Sequence, residues 1–261
     1  MIFLRTFLLI LLIIPISMST PTATTYNSGD NFLQTENEFL ISTLYDSARL
    51  KDEGLSFDAF KKGMIAYLNL INRKQIKNTR VLSILDFNQP STAKRFYIID
   101  IATGKLLLKT YVSHGVNSGL LYAERFSNTV NSRQSSAGVY KTSETYQGKY
   151  GLSLKLDGLE TNINHNARKR AVVLHPAKYV SEDFIANNGY AGRSFGCPAV
   201  SYKDHKAVIN HIKGGSAFYI HSSVERFHHK AFAVLPENSF ELLAKYTNIS
   251  PQKEALETKL Y

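Results

Sequence analysis

The chain predicts a mainly β fold with flanking helices, preceded by an N-terminal helical pair. Two observations carry that class. From residue 80 to residue 222, short apolar runs rich in β-branched and aromatic residues alternate with turn-forming stretches, the texture of strands. Between residues 35 and 76 apolar residues instead return every three or four positions, the period of a helix with one buried face. A third observation concerns chemistry: the 261 residues include a single cysteine, Cys197.

Taken in order, residues 1–20 open with a segment whose only charge is Arg5, pass through an apolar stretch at 7–16 and leave through small polar residues. That is the pattern of a secretory signal peptide. The stretch is shorter than the roughly 20 apolar residues a spanning helix needs, and Pro15 interrupts it; an uncleaved anchor is the alternative reading. Residues 21–34, rich in Thr, Ser, Asn and Gly, read as a flexible mature N-terminus. Thr35-Glu-Asn-Glu38 is a capping-box pattern ahead of Phe39, Leu40, Leu44 and Tyr45, and opens a helical segment over 35–79. Ser56 is placed to cap a second helix whose apolar residues Phe57, Phe60, Met64, Ile65, Leu68 and Ile71 share a face.

Strands are expected at residues 81–86, 96–100, 106–112, 139–142, 152–156, 171–174 and 217–220, mostly antiparallel, with a hairpin turn at 102–105. Residues 179–193 read as a loop. Ser201-Tyr-Lys-Asp204 is a second capping box, followed by Ala207, Val208 and Ile212 in helical spacing. Residues 223–261 hold one more amphipathic helix, at 239–246, and a polar tail.

Removing the leader leaves about 240 residues that stay strongly basic, since the whole chain has 31 Lys and Arg against 21 Asp and Glu. Such charge favours contact with an anionic envelope surface. Only Arg168-Lys169-Arg170 and Lys61-Lys62 are clustered, and no nucleic-acid motif is present, so no nucleic-acid partner is expected.

Cys197 sits in Gly192-Arg-Ser-Phe-Gly-Cys197, behind the apparent export signal. Compartments outside the cytoplasm are oxidising, and cysteines there normally come in disulfide pairs. An unpaired one is either a small buried hydrophobe or a reagent. Glycines on its approach suit a tight turn, which favours the reagent. A thiol nucleophile needs a neighbouring base. His175, ending the apolar run 171–174 ahead of Pro176, is the first candidate, and His114 in Ser113-His-Gly115 the second. N–H groups around Phe195 and Gly196 are placed to serve an oxyanion. Arg193, Arg168 and Arg170 are candidate carboxylate clamps. No His-Glu-x-x-His spacing occurs, which speaks against a metallopeptidase built on His114, His165 and His175.

These residues resemble a known family. Ser113-His-Gly115, Phe126-Ser-Asn128, Tyr146-Gln-Gly-Lys-Tyr-Gly-Leu-Ser153, Leu156-Asp-Gly-Leu-Glu160, Asn166-Ala-Arg168, Val173-Leu-His175 and Gly192-Arg-Ser-Phe-Gly-Cys-Pro-Ala-Val200 occur in the order found in L,D-transpeptidase catalytic domains of the YkuD type, in the murein L,D-transpeptidase branch. The resemblance covers residues 80–222 and implies a β-sandwich, an exported protein of the periplasm or cell envelope, and peptidoglycan stem peptides as substrate. It implies Cys197 as nucleophile, His175 as base, and Arg193, Ser194, His114 and Arg168 about the substrate, with no metal or other cofactor. The acyl-enzyme would pass to a diaminopimelate amine, giving a 3→3 cross-link, or to water, giving a carboxypeptidase. The usual motif carries His where this chain has Phe195, so a non-catalytic murein-binding module is a further alternative.

Overall fold

A computed structural model describes residues 28–224 and 232–248, with side chains from residue 36. The expected signal peptide and the polar tail lie outside the described residues. Two helices come first, α1 (Ser28–Ser47) and α2 (Phe57–Asn72). Eight strands follow: β1 (Asn78–Asp86), β2 (Phe96–Asp100), β3 (Lys105–Thr110), β4 (Gly138–Gly148), β5 (Gly151–Gly158), β6 (Val173–Pro176), β7 (Ala199–Val200) and β8 (Ser216–His221). Between them lie a 3-10 turn at Lys178–Val180 and helices α3 (Glu182–Asn188) and α4 (His205–Ile212); α5 (Ser239–Tyr246) comes last. The mainly β class, the flanking helices and the N-terminal helical pair are all present.

Local chemistry explains the boundaries. The Ser56 hydroxyl accepts the Ala59 N–H at 3.2 Å and starts α2. The Ser201 hydroxyl accepts the Asp204 N–H and donates to the Asp204 carboxylate, which closes the box one residue ahead of α4. The turn between β2 and β3 uses Asp100, whose carboxylate accepts the Thr103 N–H at 3.0 Å. Two expectations need correction. The chain is already helical from Ser28, seven residues before the capping box; residues 28–34 contain no proline or β-branched residue to stop the helix there. The segment read as a loop contains α3, capped by the Ser181 hydroxyl and ended by Gly189 in the left-handed conformation.

The strands run in one hydrogen-bonded order, β3-β2-β1-β8-β4-β5-β6-β7. Most neighbours are antiparallel, but β1 with β8 and β6 with β7 are parallel. Strands β1, β2 and β8 are covered on both faces, which is why their sequences read as continuous apolar runs rather than alternating ones. Leu82, Ile84, Tyr97, Ile99, Ala217 and Tyr219 face α1, α2 and α5. Their alternates Val81, Leu85, Phe96, Ile98, Phe218 and Ile220 face an inner core shared with Leu154, Leu156, Leu174, Val200 and α4.

The two ends of this order meet. Ser113, just past β3, donates its N–H to Ala199 of β7 at 2.9 Å, and Gly115 forms a parallel bridge with Ser194. In a flat sheet those edges would stand about 30 Å apart, at ~4.8 Å per strand. The sheet therefore curls until its edges join, giving two facing layers around the inner core. No helix among the described residues is long and apolar enough to cross a membrane.

The helical pair belongs to the same cooperative unit as the sheet, because Phe60 and Met64 of α2 are fully buried in the core they share with β1 and β8. Phe60→Ala is expected to lower unfolding stability by about 3–5 kcal/mol in urea denaturation, whereas Lys51→Ala changes it by less than about 0.5 kcal/mol. An unchanged midpoint for Phe60→Ala would detach the pair from the fold.

Candidate active site

The seam between the sheet's edges is where the chemistry collects. β6 runs parallel to the chain around β7, with His175 opposite Ala199 and the His175 N–H donating to Pro198 O at 3.3 Å. Two residues earlier on each chain, the Val173 N–H points at Cys197 Sγ, 3.5 Å away. The sulfur's other partner is Ala171 O, also at 3.5 Å. Val173 and His175 stand two apart on one strand and so share a face. Cys197 and His175 both line one cavity of about 650 Å³, with Val173, Tyr146, Tyr150, Tyr179 and Tyr202 among its walls.

The imidazole has a defined proton arrangement. Its Nδ1 lies 3.0 Å from Pro176 O, and a carbonyl only accepts, so Nδ1 carries the hydrogen and Nε2 keeps a free lone pair in the neutral ring. The Tyr150 ring, from the β4–β5 hairpin tip, packs 6.0 Å from the imidazole centroid. Burial pulls the His175 pKa below the ordinary histidine value, against the Pro176 hydrogen bond. Burial also pushes the Cys197 thiol up, and the Val173 N–H and the Arg170 charge only partly oppose it. Both shifts favour the neutral forms, a thiol and an unprotonated imidazole lining the same cavity.

The turn carrying the sulfur is tied down from several sides. The Ser194 hydroxyl accepts the Gly196 N–H at 3.0 Å and donates to Cys197 O at 2.6 Å. The Ser194 N–H donates to His114 O, and the Val116 N–H to Ser194 O. Ser135 bridges the same region, accepting the Gly115 N–H and donating to Gly196 O at 3.2 Å. Gly196 has φ +121°, and a Cβ there would lie 2.6 Å from Gln134 O. Only glycine satisfies both conditions. The Gly196 N–H is engaged within the turn, whereas the Phe195 and Cys197 N–H groups have no acceptor among the described residues.

Arg170 supports the turn from behind. Its Nη1 donates to Ser127 O and to the Ser136 hydroxyl, and its Nη2 to Gln134 O and the Ser132 hydroxyl. The guanidinium is half-buried and is the cation whose field reaches the sulfur. Arg168, two residues away, points outward instead and is held by Glu144 and Asp157. It does not line the cavity, so the clamp read at Arg168 is engaged elsewhere.

His114 is also outside the cavity lining. Fully buried Arg95 donates to Val112 O, to Gln89 O and, at 2.8 Å, to His114 Nδ1. A guanidinium only donates, so His114 carries its proton on Nε2, which donates to Gly119 O at 3.2 Å. Burial and the Arg95 charge hold its pKa down at about 3. The ring braces the loop at 113–119, and its residue meets the Cys197 turn through the backbone.

Arg193, Ser194 and Phe195 line the cavity. Phe195 is 74% exposed at the rim, 4.7 Å beneath the Arg133 guanidinium. Tyr179, not singled out in the sequence, also belongs here. Its backbone carbonyl accepts the Gly192 N–H at 2.7 Å, and its hydroxyl faces Ser113 and stands in the field of the sulfur. Burial raises that phenol to about 12, so it stays a donor.

Two outcomes follow from this geometry. Alkylation of Cys197 by iodoacetamide in the free protein is expected to rise with pH around a midpoint above the ordinary thiol value of about 8.5. Arg170→Met should move it higher still, because removing a cation disfavours thiolate; a midpoint below 7 would mean a preformed thiolate. Gly196→Ala is expected to cost about 1–3 kcal/mol of stability, read by denaturant melting, and an unchanged midpoint would show that the turn tolerates a side chain.

Comparison with known proteins places these residues in context. The family model described as L,D-transpeptidase catalytic domain, YkuD_2, matches residues 51–221, which takes in α2 as well as the sheet. No curated protein matches the chain. Among solved structures, an L,D-transpeptidase from Mycobacterium smegmatis shows 12% identity over 55% of this chain and 59% of its own, with a TM-score of 0.35. The L,D-transpeptidase LdtMt1, solved in complex with imipenem, shows 13% identity over 54% of this chain and 59% of its own, with a TM-score of 0.34. Each is thus spanned over little more than half its length. With the family model covering well over half of its residues, the chain belongs to the YkuD_2 family of L,D-transpeptidase catalytic domains.

Proposed function

We propose that the protein is a peptidoglycan L,D-transpeptidase that works through a Cys197 thioester. The observation that carries this reading is one cavity lined by both the chain's single thiol and a neutral imidazole whose Nε2 keeps its lone pair. A tetrapeptide stem lies in the cavity with the carbonyl of its diaminopimelate over the sulfur. The thiol proton passes to His175 Nε2 as Sγ attacks, the C–S bond forms, and the carbonyl oxygen becomes an oxyanion. The Cys197 and Phe195 N–H groups and the Tyr179 hydroxyl are donors for that oxyanion. When the intermediate collapses, the C–N bond to D-alanine breaks and His175 returns its proton to the departing amine. The side-chain amine of a second diaminopimelate then attacks the thioester and releases the sulfur, leaving a 3→3 cross-link.

Water in the last step makes the same thioester a carboxypeptidase intermediate, so the acceptor alone separates the two activities. The reaction belongs to the cell envelope, where the N-terminal leader pattern directs the chain. His does not occupy position 195 here, and the mechanism assigns that position no proton: the base is His175.

With purified protein and tetrapeptide muropeptides, Cys197→Ala is expected to abolish product while retaining the fold. His175→Gln is expected to lower turnover by about 10²–10⁴-fold. Mass spectrometry of the products distinguishes 3→3 dimers from tripeptide stems. Dimers formed without the sulfur, or a non-reactive Cys197 that a carbapenem does not acylate, would overturn the reading.

A further inference from the structure

The cavity has an unbalanced charge. Lys149, Lys178 and Arg193 line it, and no Asp or Glu is among its described lining residues. None of the three is ion-paired with a described carboxylate, whereas Lys155 and Arg168 nearby on β5 and the 159–171 segment are matched by Glu144 and Asp157. Lys149 instead rests its ammonium over the Tyr150 ring at 5.6 Å, and Arg193 its guanidinium over Tyr190 at 5.7 Å. These aromatic rings, with the Gly119 carbonyl that Arg193 also meets at 3.4 Å, hold the two cations without neutralising them. They stand around a half-enclosed space where a ligand's charge is less screened than on an open surface.

A stem tetrapeptide presents matching groups on either side of the bond to be cut. The leaving D-alanine ends in a carboxylate, and the side chain of diaminopimelate carries another. We infer that Lys149, Lys178 and Arg193 are specificity residues that select donor stems with both carboxylates free, over stems amidated at either one. This rests on the transpeptidase reading above and goes past it, since the reaction itself needs neither charge. Arg193 suits bidentate capture of a carboxylate, and the lysines act as point charges.

The test compares one tetrapeptide stem with its analogue amidated at the diaminopimelate side-chain carboxyl and its analogue ending in D-alaninamide. For the native enzyme at low salt, kcat/KM is expected to favour the free stem by about 3–10-fold over each, the range for partly exposed cation–carboxylate contacts. The preference should shrink as salt rises toward 0.5 M. Lys149→Gln/Lys178→Gln, exposed positions that leave the fold intact, should reduce it, and adding Arg193→Gln should erase it. Equal use of all three stems, or a preference that survives the triple substitution, overturns the inference. Calorimetric binding of the same stems to Cys197→Ala separates the two layers of argument. A binding preference without any turnover in the native enzyme keeps the inference and removes the transpeptidase reading, whereas turnover without preference does the reverse.

Discussion

The hydrogen bonds that join the two edges of the sheet hold this molecule's chemistry together. Ser113 to Ala199, and the pairing of Gly115 with Ser194, close the curled ladder on itself. Several groups near the sulfur are positioned from that seam: the Cys197 turn just ahead of β7, His175 on β6, and His114 on the chain leaving β3, held by Arg95 at the entry to β2. Closing a sheet also removes exposed strand edges, which otherwise invite pairing with other chains. Here the closure has a second use, because it brings together segments that lie about 80 residues apart in sequence. A catalytic pair on one hairpin would be easier to form. A pair on a seam is fixed by the fold as a whole.

The electrostatics of the site are set by burial more than by any partner. Desolvation disfavours charge on both the thiol and the imidazole, and Arg170 only partly offsets this for the sulfur. Arg170 is itself surrounded by serine hydroxyls and carbonyls rather than carboxylates, so its charge is left available to the site. Both directions favour a neutral thiol and a neutral imidazole over a thiolate–imidazolium pair. His175 is held in the one tautomer that leaves Nε2 open, and that bond to Pro176 O involves the neighbouring residue of its own strand.

Much of this was legible in the residues, and the exceptions have common causes. Strand β2 and helix α5 fall at the expected residues because each is bounded by its own turn or cap signals. Cys197 and His175 stood out for separate local reasons, a lone thiol and a strand-end ring, and the structure places them in one cavity. Arg168 and Arg170 looked alike in a basic triplet, yet they point in opposite directions, and only the packing of the 127–136 segment against Gly196 distinguishes them. His114 was conspicuous at a strand end but faces inward, where Arg95, just ahead of β2, donates to its ring. The parallel pairings join residues distant in sequence, which periodicity does not register. The α3 cues were present in Ser181 and Gly189, but a helix this short, with Asn187 and Asn188 at its end, reads as loop by composition.

A sulfur that burial keeps protonated has a consequence for the life of the protein. Peroxides and passing disulfides react with thiolates far faster than with thiols. Half-buried between the Val173 N–H and the Ala171 carbonyl, Cys197 is a poor target for either while protonated. The same desolvation that disfavours its ionisation thus slows its oxidation wherever oxidants reach it.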